Sequence, residues 1–130
     1  MMSDPIGDAL TRIRNAYLAR HKEVKTRSTK MVREIAKILV ENNYAQEATA
    51  TEENGHKKLV IKLRYENRLP ALTHLKRVSK PGRRVYVAIK DLKPTLNGRG
   101  VSILTTPLGI LSDKKAKKNH VGGEVICEVW

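Results

Sequence analysis

Four histidines, one cysteine and a few serines are the residues of this 130-residue chain with reactive side chains. His21, His56, His74 and His120 form no i, i+4 pair and have no carboxylate cluster nearby, so the ligand spacing a metal requires is missing. Cys127 lies in the apolar run Val125-Ile126-Cys127, the setting of a small buried hydrophobe. As the single cysteine it forms no internal disulfide, which fits a reducing compartment. Ser102 and Ser112 lack the nucleophile-elbow pattern. Gly98-Arg99-Gly100 has neither the third glycine nor the strand-before, helix-after context of a phosphate loop, and turn chemistry explains these glycines better. The expectation is a protein with no metal, no cofactor and no catalytic centre.

Charge gives a stronger signal. The chain holds 26 Lys+Arg against 13 Asp+Glu, a formal net charge of +13, which suggests a polyanionic partner. Residues 68–99 carry nine basic side chains against Asp91 alone, and Lys114, Lys115, Lys117 and Lys118 form a second cluster. The cations are interleaved with apolar residues, as on folded faces rather than disordered tails. The turn Lys80-Pro81-Gly82-Arg83-Arg84 presents three cations on a stiff loop suited to phosphate contact. Tyr86 beside it can stack on a base or ribose, or pack in the core. Thr105-Thr106-Pro107-Leu108-Gly109 leaves a strand through two hydroxyls, groups that reach 2′-OH and base edges in the shallow minor groove of A-form RNA. No run is long and apolar enough to span a bilayer, and the start of the chain lacks a signal-peptide pattern. The helix expected near 112–119 is too short and polar for a membrane surface.

The elements that must position these residues read as α+β. Asp4-Pro5 opens a helix whose stripe is Ile6, Leu10, Ile13 and Tyr17, leaving Arg12, Arg14 and Asn15 outward. His21 to Thr26 is loop with a short strand. Ser28 caps a second helix with Met31, Ile35, Ile38 and Leu39 on one face, ended by Asn42-Asn43. Tyr44 to Thr51 and the alternating strand to Tyr65 form a hairpin about the type I′ signal Asn54-Gly55. Arg68-Leu69-Pro70 reads as a junction. A second hairpin joins Thr73–Ser79 to Val85–Ile89 through a type II turn, with residues 90–98 irregular. Val101 to Thr106, a basic helix capped at Ser112 or Asp113, and a last strand from Glu124 to Trp130 complete the chain. The expected organisation is an N-terminal half, 1–66, with two helices on a small sheet, and a C-terminal half, 67–130, mostly β with one short helix.

Several segments together resemble the family of the eighth protein of the bacterial small ribosomal subunit. They are Asp4-Pro5-Ile6-Gly7-Asp8 with Leu10-Thr11-Arg12-Ile13-Arg14-Asn15-Ala16, Arg77-Val78-Ser79-Lys80-Pro81-Gly82-Arg83-Arg84-Val85-Tyr86, Leu96-Asn97-Gly98-Arg99-Gly100-Val101, and Gly122-Gly123-Glu124-Val125-Ile126-Cys127. They run in order, at family spacing, over nearly the whole chain. The resemblance implies two tightly packed α+β halves and a primary binder of ribosomal RNA in the central domain of the small-subunit RNA. It places the protein in the cytoplasm or in an organelle of bacterial origin. It implies that the C-terminal half grips one rRNA helix through its minor groove, by a Ser-Thr-Ser-x-Gly loop supported by a Gly-Gly-Glu segment. Carried onto this chain, the RNA contacts are Thr105, Thr106, Gly109, Gly122, Gly123 and Glu124, with Pro107 as a backbone position, joined by Tyr86, Lys80, Arg83 and Arg84. In the N-terminal half, expected to touch other rRNA, the candidates are Arg12, Arg14, Asn15, Ser28 and Lys30. The chain departs from the family where Pro107 offers neither a hydroxyl nor an N–H. Further implied partners are protein five of the subunit and, as an alternative role, a messenger RNA mimic of the site through which the protein represses its own operon.

Overall fold

The structure, a computed structural model, describes residues 4–130 and divides into two compact units, 1–73 and 74–130. In the first unit, α1 (Pro5–Leu18) starts where the Asp4 carboxylate accepts from Gly7 N–H at 3.1 Å, a cap typically worth about 1 kcal/mol. Its buried stripe is Ala9, Leu10, Ile13, Ala16 and Tyr17, while Ile6 is half-buried. After β1 (Glu23–Arg27) comes α2 (Lys30–Glu41). Its cap is Thr29, whose hydroxyl accepts from Val32 N–H at 3.2 Å, and not Ser28. The one-residue shift puts Val32 in the core and leaves Met31 38% exposed, so the expected stripe holds at Ile35, Ile38 and Leu39 but not at Met31. Asn43, at φ 63°, turns the chain out of the helix.

The strands β2 (Ala45–Glu53) and β3 (His56–Leu63) form the expected hairpin, with Asn54 and Gly55 at φ 52° and 78°. β3 is central, in the antiparallel order β1-β3-β2, and buries Leu59, Ile61 and Leu63 on one face. The Tyr17 hydroxyl ties α1 to this sheet: it donates to the Tyr44 carbonyl and accepts from Arg64 N–H at 3.1 Å. Residues 65–70 are a hairpin rather than a junction, pairing β4 (Tyr65–Glu66) with β5 (Leu69–Pro70). Asn67 and Arg68 both take positive φ there, 51° and 66°, so the chain folds back on itself. The two units divide after this hairpin, between Thr73 and His74.

The second unit is built around its last strand. β6 (Leu75–Arg77) and β7 (Tyr86–Val87) do not pair with each other; both pair with β10, at its C-terminal and N-terminal ends. The expected second hairpin is therefore only a turn. Lys80 and Arg83 exchange two backbone hydrogen bonds of 2.9 Å, and Gly82 does not take the positive φ of a type II turn. Buried Ser79 explains the splay: its hydroxyl accepts from Val85 N–H at 2.9 Å and donates to the Val85 carbonyl at 3.2 Å, replacing strand pairing. β8 (Val101–Thr106), β9 (Gly109–Ser112), α3 (Asp113–Lys118) and β10 (Gly123–Val129) follow. The sheet order is β6-β10-β8-β9, and Ser112 caps α3 by accepting from Lys115 N–H at 3.2 Å. The strand β9 was not expected. Helices and antiparallel sheets in both units make the chain α+β, as its sequence pattern predicts.

Candidate nucleic-acid interface

Pairing in the second sheet sets a row of side chains across one face. Tyr86 on β7 lies opposite Glu124 on β10, Glu124 opposite Thr105 on β8, and Thr105 opposite Ile110 on β9. Alternation sends their neighbours Val87, Val125, Leu104 and Leu111 to the other face, where they gather in one apolar cluster. Tyr86 is 70% exposed, so its ring is a free stacking surface and not part of the core. Glu124 is only 18% exposed in its side chain, and its carboxylate accepts from the Arg84 guanidinium at 3.0 Å. Arg84 is thus a held cation, aimed by Glu124 along the row. Lys80 and Arg83, at the exposed turn, have no ion pair among the described residues.

The two threonines divide the work. The Thr106 hydroxyl donates to the Gly109 carbonyl at 2.7 Å and accepts from Leu108 N–H at 3.1 Å, which commits its proton and one lone pair to the β8–β9 turn. Pro107 stands at the second position of that turn, where its fixed φ is favourable, and Gly109 closes it at φ 110°. Leu108 is left 61% exposed at the tip. Thr105 lies in the row, and its buried hydroxyl has no hydrogen-bond partner among the described residues. Beneath them β10 passes unusually close: a Cβ on Gly123 would stand 2.1 Å from the Thr105 carbonyl oxygen, and one on Gly122 would stand 2.3 Å from that of Val87. Both glycines are close-approach positions that set the spacing of the row.

The N-terminal candidates are spread over α1, the β1–α2 connection and the start of α2. Arg12, Arg14 and Asn15 are exposed on α1, with Arg12 bound to Asp8 at 2.9 Å. Ser28 accepts from the Arg33 guanidinium at 3.0 Å, and Lys30 is exposed at the first position of α2. The sequence reading missed what lies beside them. The β1–β3 register sets Arg27 opposite Lys58, and an open cleft of about 430 Å³ is lined by Arg27, Ser28, Thr29, His56, Lys57 and Lys58. Its two halves are some thirty residues apart, so only the strand register could have revealed it.

The remaining reactive groups are structural. Cys127 is fully buried, and burial pushes its thiol up to about 12. His74 stacks on Trp130 with ring centres 5.1 Å apart. Leu96, Asn97 and Gly98 all take positive φ, and a Cβ on Gly100 would meet the Val129 carbonyl at 2.8 Å, so the Gly98–Gly100 segment is a turn packed on a strand. No group of three metal-ligating side chains occurs among the described residues.

The fold and surface are those of a small cationic α+β binding protein. The family described as Ribosomal protein S8 matches residues 4–130, and the chain belongs to that family, whose members are structural and non-enzymatic. It is 49% identical over 130 residues, covering 98% of each chain, to the small ribosomal subunit protein uS8 of Nostoc punctiforme. It is 46% identical over 131 residues, covering all of both chains, to uS8 of Solibacter usitatus. It is 43% identical over 132 residues, again covering all of both, to uS8c of Rhodomonas salina.

Proposed function

We propose that this protein is a structural constituent of the small ribosomal subunit. It binds a helix in the central domain of the small-subunit rRNA and orders it during assembly. The observation that carries the reading is the row Tyr86, Glu124 and Thr105, which brings an exposed ring and a guanidinium held by a carboxylate onto one face. The unpaired cations of the 80–83 turn flank it. The division of labour follows from the chemistry. Lys80 and Arg83 neutralise phosphates, Tyr86 stacks on a base or ribose, and the part-exposed surface of Thr105 forms the floor between them and the β8–β9 turn. Thr106, Pro107, Gly109, Gly122 and Gly123 hold that surface in shape. The cleft at Arg27 and Lys58 suits a further phosphate in the N-terminal unit. Family resemblance supports protein five as the neighbour in the subunit, and the same face would take a messenger RNA copy of the rRNA site.

Tyr86→Ala tests the reading in a binding assay on a central-domain rRNA fragment. The ring is exposed, so folding stability stays within about 0.5 kcal/mol while affinity falls by about 1–3 kcal/mol. Unchanged affinity contradicts the proposed surface.

A further inference from the structure

We propose that the C-terminal unit carries a second RNA-facing surface, the lysine face of α3, which holds the phosphate backbone of a separate RNA segment on the side of the sheet opposite Tyr86 and Thr105. This extends the RNA-binding reading and depends on it. Leu104, on the far side of β8 from Thr105, packs with Leu92 and with Ala116 of α3, so α3 covers the face that the Tyr86 row does not use. Ala116 is fully buried and points into the sheet. At about 100° per residue, Lys114 and Lys118 then stand on the outer side of the helix, with Lys115 and Lys117 on its flanks. All four are exposed. Residues 89–93 pack into the same cluster through Ile89 and Leu92, which adds exposed Lys90 and Lys93 to this side.

On this side Asp91 is exposed between Lys90 and Lys93, whereas the acid of α3 itself is turned inward. Asp113, 7% exposed, accepts from Thr95 N–H at 3.1 Å and from the Thr95 hydroxyl at 2.9 Å. The outer face of α3 therefore carries lysine and no carboxylate. Lys114, Lys117 and Lys118 make no ion pair among the described residues. A helix of six residues does not persist alone in water, yet the Ser112 cap, the Asp113–Thr95 bonds and buried Ala116 hold this one in place. The cations are thus positioned before any partner arrives. With neither an exposed ring nor a free hydroxyl row, the face positions a backbone without reading sequence. A single duplex lying on the Tyr86 row cannot also lie on α3, because the sheet stands between them. The unit is a spacer between two RNA backbones.

Directed hydroxyl-radical probing tests this in the full chain. Cys127 is fully buried, so an iron chelate reacts with an introduced thiol alone. Lys118→Cys on α3 and Pro81→Cys in the 80–83 turn are derivatised separately and bound to small-subunit rRNA. The expected result is two cleavage clusters in non-overlapping stretches of the RNA. Overlapping clusters, or cleavage from Pro81→Cys with none from Lys118→Cys, overturn the second surface and leave the first standing. No cleavage from either tether overturns both. In parallel, the triple variant Lys114→Gln, Lys117→Gln, Lys118→Gln lowers the slope of log affinity against log salt by roughly 2 to 3 and leaves the preference for cognate RNA over generic duplex within about twofold. An unchanged slope also overturns the proposal.

Discussion

The N-terminal unit carries 14 basic and 9 acidic residues over positions 1–73, and the C-terminal unit carries 12 and 4 over positions 74–130. The two also place their charges differently. In the first, Arg12–Asp8, Lys25–Glu53, Lys62–Glu47 and Arg64–Glu66 are ion pairs, two of them across neighbouring or next-neighbouring strands of the sheet. In the second, Arg84 pairs with Glu124, Asp113 is buried against Thr95, and Lys80, Arg83, Lys114, Lys117 and Lys118 are exposed with no ion pair among the described residues. Exposed pairs add little stability, about 0–1 kcal/mol each. Their effect is on the field: the first unit cancels much of its own charge, and the second projects it. Net charge, +5 against +8, already favours the second unit, and the ion pairs of the first widen the difference.

The largest test of this contrast acts on the frame of the C-terminal face. Gly123→Ala sets a Cβ against the Thr105 backbone, which cannot yield without parting β8 from β10. A loss above about 4 kcal/mol in urea denaturation is expected, with the C-terminal unit opening first in hydrogen exchange. A loss below about 1 kcal/mol would show that the strands are not held so close. Asp113→Ala comes next. It strands the buried Thr95 N–H and leaves the Thr95 hydroxyl with Ser102 alone, and should cost about 2 kcal/mol by thermal or urea unfolding. A neutral effect would mean that the inward carboxylate does not anchor α3.

Smaller still is an alkaline effect seated at Cys127. Its folded thiol is raised to about 12 from an ordinary 9.0, so the unfolded chain loses its proton first as pH rises. The stabilisation is complete below about pH 9 and is lost between there and 12, with a slope of at most about 1.4 kcal/mol per pH unit. The stability of Cys127→Ala, compared with the parent over pH 8–10.5, should lack this component. Parallel pH curves would show that the thiol is not sealed.

Much of the first unit was legible because its signals are local. The stripe of α1 and the Asn54-Gly55 turn lie within a few residues of what they specify. The second unit hid its topology because β6 and β7 are two or three residues long and pair with a strand some fifty and some forty residues later. Ser79, which separates them, looks like any turn serine until its bonds to Val85 are seen. At the candidate site the residue types were readable and the roles were not. Nothing in Thr105-Thr106 shows which hydroxyl the turn consumes, and nothing in Glu124 shows that it holds Arg84. The cleft at Arg27 and Lys58 exists only through strand register.

The most direct measurement sets the two units against each other through the salt dependence of rRNA binding. Lys80→Gln with Arg83→Gln removes two outward cations of the C-terminal unit, and Lys25→Gln with Lys62→Gln removes two paired ones of the N-terminal sheet. The account predicts that the slope of log affinity against log salt falls by roughly 1 to 2 for the first variant and stays nearly constant for the second. Equal changes in the two slopes, or a larger change for the N-terminal variant, would contradict it.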